Sequence, residues 1–413
     1  MKNLLYSLLT AVASIAFFSC EDELELTPIT DKVASNFYTN EAEIESAIIG
    51  VYAQLQDNGL YGLDLIAAGE VSGNDTFEEI AANDGGRFGQ LDDFSTFPGN
   101  DLVGDIWRES FIAIQRANTV LNRINNIEFE DESVKNARIG EMKFVRALMY
   151  FNLVRLYGDV PLITTETVDP SEAFGQGRMP AQEIYTQIEQ DLTEAIASLP
   201  VAKQPARPAK GAAQALLGNV YLTQSNFNSA LDQLEAVVNS GEYSLAANPA
   251  DIFGVANEGN SEVLYEVQFA TGLDGENEGS PAFSQFRPSG TTANAKGHNL
   301  PSNDLLSLYE ANDTRREVYI GIHPANVFSF SLKFEETVNP NDGGSDFIVI
   351  RYSDVVLKYA EALNETGQTT EAINQLNLIR NRAGLTNATA SSAEAVRDAI
   401  RLERRLELIN EGH

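Results

Sequence analysis

Residues 69–104 form a segment whose side chains could bind a polar ligand. It contains seven Gly and eight Asp or Asn, and Phe77, Phe88, Phe94 and Phe97 stand among these polar residues. Flat aromatic rings pack against the C–H faces of sugars, while carboxylates and amides bond the hydroxyl groups. The candidate ligand-binding residues are Asn74, Asp75, Arg87, Phe88 and Asp92. The alternative is that the phenylalanines attach a long loop to the body of the protein.

A second candidate segment runs from Thr271 to Asn299. Phe283, Phe286 and Arg287 are its candidate ligand contacts, with His298 nearby, and the alternative is a flexible surface excursion. Residues 274–279 offer oxygen atoms, but they lack the ligand alternation and closing Glu of a calcium-binding EF-hand loop. We therefore expect a solvated turn and no metal site there.

The residue counts exclude several kinds of chemistry. Cys20 is the only cysteine, so no disulfide framework or cysteine-ligated zinc forms within the chain. Three histidines leave little for an imidazole zinc site or a Ser-His-Asp triad. The formal net charge of −32 repels phosphate backbones and anionic headgroups. We expect no catalytic residues, no cofactor and no nucleic-acid partner, and we expect Trp107 in the core.

The N-terminus has the features of an export signal. Residues 1–19 combine Lys2 with an apolar run too short to span a bilayer, which predicts a secretory signal peptide. Small Ser19 before Cys20 resembles the lipobox of bacterial lipoproteins, which implies lipidation of Cys20 and membrane attachment through lipid alone. A plain secretory signal is the alternative. Residues 20–38 then form an acidic tether.

Helical patterns dominate the rest of the 413 residues. We predict an N-terminal helical region at 39–245 and a C-terminal region at 246–413, which is loop-rich with short strands at 246–349 and helical at 350–413. The fold class is therefore mainly α.

Two segments share the spacing of small and large residues that is typical of tetratricopeptide (TPR) repeats. Small side chains let two helices approach, and larger ones fill the gap between them. The matching positions are Gly218, Tyr221, Ala230 and Leu234 in the first segment and Ala360, Leu363, Ala372 and Leu376 in the second. The pattern predicts two irregular TPR-like hairpins in a right-handed-type helical scaffold.

Charged residues within apolar helices indicate structural ion pairs. Residues 141–157 are apolar nearly all round, so we predict a central buried helix in which Arg146 forms a buried ion pair. Asp313, Arg315 and Arg316 predict a charge network, and the arginines and glutamates of residues 401–407 are interpreted as structural or partner-facing charges.

Several segments, taken in order, resemble the SusD/RagB family of outer-membrane nutrient-binding lipoproteins of Bacteroidetes. They are RALMYFNLVRLYGDVPLI (146–163), ALLGNVYLTQSNFNSAL (215–231), NSEVLYEVQF (260–269), LPSNDLLSLYEANDTRR (300–316), IRYSDVVLKYAEALNETG (350–367), LNLIRNRAGL (376–385) and RLERRLELINEGH (401–413). The resemblance covers nearly the whole chain after the signal peptide.

The resemblance implies a non-catalytic, TPR-containing lipoprotein on the outer face of the outer membrane. Such a protein caps a SusC-like TonB-dependent transporter and helps to deliver a glycan or other oligomeric nutrient. It also implies ligand contacts in residues 69–104, and the acidic residues 21–25 resemble a surface-export signal. Family members usually continue past the Glu-Gly-His pattern, so we expect a C-terminal segment beyond His413.

Two other functions are compatible with parts of the sequence. A secreted glycoside hydrolase would need two carboxylates at a fixed separation, and no segment indicates such a pair. A TPR scaffold for protein partners is disfavoured by the export signal and by the long nonrepetitive loops.

Overall fold

The computed structural model describes residues 37–169, 171, 174–204, 206–272, 278–324 and 328–413. Within these ranges, nine helices of twelve residues or more form the body of the protein. They are α1 (Glu41–Leu55), α2 (Asp101–Arg123), α3 (Glu132–Tyr157), α4 (Ala181–Ser198), α5 (Lys210–Thr223), α6 (Phe227–Val238), α7 (Tyr352–Glu365), α8 (Thr369–Arg382) and α9 (Ala393–Leu408). The fold is mainly α, as predicted.

Short elements connect these helices. Short α-helices lie at Asp64–Ala68, Gly89–Asp92, Ala282–Gln285, Asn303–Leu306 and Arg315–Tyr319. The strands are β1 (Thr76–Phe77), β2 (Val263–Val267), β3 (Leu300–Pro301), β4 (Ile320–Ile322), β5 (Ser329–Ser331) and β6 (Phe347–Arg351). They pair antiparallel as β1 with β3, β2 with β6 and β4 with β5.

The two predicted TPR-like hairpins are confirmed as α5–α6 and α7–α8. An atom added at the Cβ position of Gly218 would lie 2.7 Å from Leu234, so the glycine lets α5 and α6 approach closely. Ala360 and Leu376 are both buried at the equivalent positions. The side chain of Asn226 caps α6 by accepting a hydrogen bond from the Ser229 N–H. Helix α7 also packs against α6, so the two hairpins are neighbours in space.

Helix α3 is the central buried helix that the sequence predicts, although it starts at Glu132, nine residues before the predicted start. Arg146 forms the predicted ion pair, and its Nη2 lies 2.6 Å from Asp191 Oδ1 on α4. A second Arg146 nitrogen donates to Asn118 Oδ1 on α2 at 2.8 Å. Arg146 therefore joins three helices. Helix α3 ends at Gly158, whose φ of +68° is a conformation that glycine adopts readily.

A buried charge network holds the C-terminal helices to the strands. Arg351 Nη1 lies 2.7 Å from Glu407 Oε1, and Arg351 Nε lies 2.6 Å from Glu411 Oε2. Arg315 Nη2 lies 2.7 Å from Asp313 Oδ2, which confirms the predicted pairing of these two residues. We call this set the charge network: Glu262, Asp313, Arg315, Lys333, Arg351, Arg382, Glu403, Glu407 and Glu411. Each of its carboxylates forms an ion pair with an arginine or lysine, so its charges are structural.

Candidate functional site

The two candidate ligand-binding segments meet and form one surface, which we call the loop face (residues 69–104 and 278–301). Antiparallel pairing of β1 with β3 joins them. The Glu79 N–H donates to the Gly297 carbonyl oxygen at 2.9 Å, and Asn83 Nδ2 donates to the Lys296 carbonyl oxygen at 2.7 Å. The two segments therefore form one continuous surface where residues 76–83 meet 296–301.

We call the contact between the two segments the joint. His298 lies at its centre and is fully buried. Its Nδ1 is 2.6 Å from Glu78 Oε2, and its Nε2 is 3.0 Å from Asp84 Oδ2. The imidazole stacks on the Phe88 ring with a centroid separation of 3.8 Å. Phe88 is also fully buried, so its ring attaches the first segment to the body, which is the alternative that the sequence left open.

Two other candidates of the first segment have structural contacts. Arg87 makes a two-bond ion pair with buried Asp64, with N···O distances of 3.0 and 2.9 Å. Burial raises the pKa of Asp64 to about 7, although Arg87 opposes that rise. Asp92 Oδ2 accepts a hydrogen bond from the Glu78 N–H at 3.2 Å. These side chains fix the shape of the loop face.

The start of the loop face carries the remaining two candidates of the first segment. Asp75 pairs with Arg405 of α9, with an N···O distance of 2.6 Å. Asn74 is exposed, and its carbonyl oxygen accepts a hydrogen bond from Ser302 Oγ at 2.9 Å. Of the five candidates in this segment, Asn74 is therefore the most accessible.

The candidates of the second segment point into the protein. Phe283 is buried, and buried Phe286 packs edge-on against Phe334 with a centroid separation of 5.4 Å. Arg287 lies 4.5 Å above the Phe330 ring centroid, and its Nη2 is 3.3 Å from Glu336 Oε2. The eight predicted residues thus do not line one cavity, since Asp75 and Phe283 face different concave surfaces, and their ligand-binding role stays a prediction.

The exposed aromatic residues of the loop face are Phe94 and Phe97. All residues from 93 to 99 are exposed, and the two rings keep 74% and 53% of their accessible surface. We call residues 93–99 the phenylalanine shelf. Phe94 has a left-handed backbone with φ +58°, which is uncommon for a residue with a bulky side chain. The sequence singled out both residues as aromatic rings in polar surroundings, but exposure could not be read from it.

Hydrogen bonds hold the shelf in place. The Ser95 N–H donates to Asp93 Oδ1 at 3.0 Å, and Thr96 Oγ1 donates to the Gln90 carbonyl oxygen at 2.9 Å. The Asn100 side chain caps α2 directly after the shelf. Two apolar rings on a supported, otherwise polar strip form a surface that a flat ligand could stack on.

A concave surface lies apart from all the predicted ligand-binding residues. It has a volume of about 460 Å³, and we call it the acidic groove; its lining includes Tyr52, Gln56, Glu258, Tyr265, Glu266, Gln268, Phe269 and Asp346. Burial, together with the charges of neighbouring Glu258 and Glu266, raises the pKa of Asp346 to about 7, although a hydrogen bond from the Phe269 N–H opposes the rise. These carboxylates come from separate parts of the chain, so no local motif reveals them.

The described residues restrict the remaining chemistry. No group of three or more His, Cys, Asp or Glu in these ranges is placed to hold a metal ion. None of the helices in the described ranges is both long and apolar enough to cross a membrane. Trp107 packs against Phe111 and Tyr157 at the edge of the core, as predicted. Cys20, the acidic residues 21–25 and most of the turn at 274–279 lie outside the described residues.

Comparison with known proteins identifies the family. A family model described as starch-binding associating with outer membrane matches residues 26–222, and the SusD family model matches residues 310–413. The chain belongs to the SusD family. SusD-like protein P25 of Formosa agariphila is 26% identical over 463 residues, which cover 96% of this chain and 86% of the relative.

Solved SusD-family structures share the fold. A laminarin-binding SusD-like protein superposes with a TM-score of 0.79 at 29% identity and covers 91% of this chain and 90% of its own. Starch-binding protein SusD of Bacteroides thetaiotaomicron is 24% identical over 299 residues, which cover 67% of this chain and 52% of that relative. The predicted family is thus confirmed across most of the chain.

Proposed function

We propose that this SusD-family protein binds an oligosaccharide on its loop face without cleaving it. The observation that carries the proposal is the pair of exposed rings, Phe94 and Phe97, on a supported polar strip. Single exposed rings are common on protein surfaces, but two exposed rings within one short supported strip form an apolar patch of the kind that marks binding surfaces. The names of two similar proteins, one laminarin-binding and one starch-binding, support a glucan as the ligand.

We infer further that the protein works at the outer membrane beside a transporter. The description of the family model that matches residues 26–222 supports an association with that membrane. Lipidation at Cys20 would attach the chain through its N-terminus. The SusC-like TonB-dependent transporter remains the partner that the family resemblance implies, and the bound oligosaccharide would pass to it.

Ligand titration tests the binding site. The purified protein is titrated with laminarin oligosaccharides and with malto-oligosaccharides, and the double variant Phe94→Ala/Phe97→Ala is compared with wild type. Loss of both stacking rings should weaken binding by about tenfold or more. Phe174→Ala is the matched control, because Phe174 is 81% exposed and lies outside the loop face.

Two outcomes would contradict this site or mechanism. Equal ligand affinity of wild type and the double variant would show that the ligand does not bind at the phenylalanine shelf. Shorter sugars released during the titration would show a hydrolase rather than a binding protein.

Membrane attachment and partnership are tested on cells. Cys20→Ser should release the protein from the membrane fraction, since one lipidation site is removed. A tagged wild-type protein, solubilised in detergent, should co-purify with a TonB-dependent transporter at about one-to-one. Recovery of the protein alone would contradict the proposed partnership.

A further inference from the structure

The acidic groove has carboxylates without a matching cation. The carboxylates of its lining belong to Glu258, Glu266, Glu278 and Asp346. None of them forms an ion pair within the described ranges, in contrast to the carboxylates of the charge network. Arg207 also lines the groove, but its guanidinium already pairs with Glu141 at 2.7 Å and with Glu45 at 3.0 Å. The groove therefore presents uncompensated negative charge to solvent.

Glu266 is the most deeply placed of these carboxylates. The residue is 6% exposed, and its Oε2 accepts one long hydrogen bond, from the Gly259 N–H at 3.4 Å. Lys203 also acts on this carboxylate, but its Nζ donates to the Gly259 carbonyl oxygen at 2.9 Å. Glutamates are rarely this buried unless they are paired, and an ionised carboxylate has about four acceptor sites. Glu266 thus has hydrogen-bonding capacity that the protein does not use.

Tyr265 gives a second, independent indication of a ligand. It is 2% exposed, it lines the groove, and its ring packs edge-on against Phe144 with a centroid separation of 4.9 Å. Its hydroxyl group makes no hydrogen bond with the described part of the chain. The hydroxyl of Tyr52, in the same lining, donates to Glu141 Oε2 at 2.7 Å. Buried tyrosine hydroxyls usually have a partner, so that of Tyr265 is available to a ligand.

We propose that the acidic groove is a second ligand site, which binds a primary ammonium group through the carboxylates of Glu258, Glu266 and Asp346. The three N–H bonds of an ammonium group match carboxylates, which only accept hydrogen bonds. The Tyr265 hydroxyl supplies a further hydrogen bond to the ligand. Amino sugars and lysine side chains both carry a primary ammonium group.

The arrangement of the groove favours an organic cation over a metal ion. No group of three or more His, Cys, Asp or Glu in the described ranges is placed to hold a metal. The rings of Tyr52, Tyr265 and Phe269 line the groove, and aromatic faces attract ammonium groups. Ile49, which is 60% exposed, adds an apolar contact for the carbon skeleton of a ligand.

The size of the groove suits a small ligand. Its volume of about 460 Å³ lies within the range of about 300–1,000 Å³ that is usual for small-molecule sites. Neither Phe94 nor Phe97 is in its lining, so it is separate from the phenylalanine shelf. An amino sugar as the source of the ammonium group rests on the proposed function, whereas the ammonium site itself does not.

Titration with three probes tests the site. Wild-type protein is titrated calorimetrically with the trimer of glucosamine, the trimer of N-acetylglucosamine and trilysine, at about pH 7, where lysine is protonated. The glucosamine trimer should bind about tenfold or more tightly than the acetylated trimer, because acetylation removes the charge. Binding of trilysine alone would support the site with a peptide as the source of the ammonium group. Equal affinity for the two sugars, or no binding of either cationic probe, would overturn the proposal.

Charge variants locate the binding. Glu258→Gln/Glu266→Gln keeps the side-chain shapes but removes two charges, so it should weaken binding of the cationic probe by about tenfold or more. Glu394→Gln is the matched control, since Glu394 is an exposed residue of α9 outside the groove, and it should bind like wild type. An equal loss for the control would overturn the proposal, because general attraction to the net charge of −32 would explain the binding.

Tyr265→Phe removes the hydroxyl group alone. Because this hydroxyl has no protein partner, the variant should unfold at the same urea concentration as wild type, yet bind the cationic probe about three- to tenfold more weakly. Wild-type affinity in both this variant and the double variant would overturn the proposal. If the double variant does not fold, Tyr265→Phe alone decides.

The two ligand sites are tested independently. Phe94→Ala/Phe97→Ala should bind the cationic probe like wild type, and Glu258→Gln/Glu266→Gln should retain binding of laminarin oligosaccharides. Failure of the site on the loop face therefore does not imply failure of the site in the groove.

Discussion

Carboxylates and phenylalanines have different roles in the buried interfaces and in the two open surfaces, which are the loop face and the acidic groove. In the charge network, the Arg351 guanidinium contacts the carboxylates of Glu407 and Glu411. In the acidic groove, Glu266 and Asp346 lie near each other, and burial raises the pKa of both. The charges of the network are paired because a buried charge without a partner would cost several kcal/mol of folding free energy. Crowded carboxylates oppose folding where they are ionised, so the groove should lower stability as pH rises.

The largest effect should follow from breaking the charge network. Arg351→Ala leaves the Glu407 and Glu411 carboxylates buried without this partner, so the free energy of unfolding should fall by about 3–5 kcal/mol. Urea denaturation measures the change. Arg401→Ala is the control, since Arg401 is 70% exposed and its ion pair should contribute less than about 1 kcal/mol. Equal losses of unfolding free energy for the two variants would contradict the view that buried network pairs stabilise the fold more than surface pairs.

The next largest difference in stability is expected between substitutions of Phe88 and Phe94, which lie in the same loop segment. Phe88→Ala should cost about 3 kcal/mol of unfolding free energy, because a fully buried ring stacked on His298 is removed. Phe94→Ala should change stability by less than about 0.5 kcal/mol, because its ring is 74% exposed. Thermal and urea unfolding compare the two. A large loss for Phe94→Ala would show that the shelf supports the fold.

Two helix glycines should give smaller effects of opposite sign. Gly218→Ala places a methyl group 2.7 Å from Leu234 and should destabilise by about 1–3 kcal/mol. Gly50→Ala on α1 meets nothing within 4 Å, so it should stabilise by about 0.5–1 kcal/mol through helix propensity. Stabilisation by both substitutions would contradict the close packing of α5 on α6.

The acidic groove should give a small effect that depends on pH. The folded-state pKa of Asp346 is about 7, above its ordinary value of 3.8, so wild type loses stability as pH rises between these values. Asp346→Asn avoids this loss while its oxygen can still accept from the Phe269 N–H. At about pH 8 it should gain about 1 kcal/mol, a figure reduced for solvent screening. At about pH 4 urea denaturation should show no gain; a gain at both pH values would contradict the titration.

The sequence predicted the helical body better than the surfaces. Residue spacing revealed both TPR-like hairpins, since Gly218 and Leu234 meet within one local unit. It missed residues 132–140 of α3, because that part of the helix is more exposed and lacks the continuous apolar run of 141–157. Local patterns are therefore reliable where contacts are local.

The candidate site could be predicted only as two separate segments. Pairing of β1 with β3 joins residues more than 200 positions apart, and no periodicity encodes such a contact. Phe88 and Phe94 have the same side chain and polar neighbours, so only the partner segment decides which ring is buried. The acidic groove likewise combines carboxylates from distant positions, so no local pattern indicates it.

The stacking of the two TPR-like hairpins also sets the order in which the chain can fold. Helix α6 packs on α7, and Tyr359 Oη donates to Glu235 Oε1 at 3.4 Å, although roughly 110 residues separate the two helices. A nascent chain cannot complete this interface until the second hairpin has been synthesised. Closing so long a loop costs little extra stability but slows folding, because contacts distant in sequence form late. The α5–α6 hairpin should therefore remain incompletely packed for longer than a tandem repeat would.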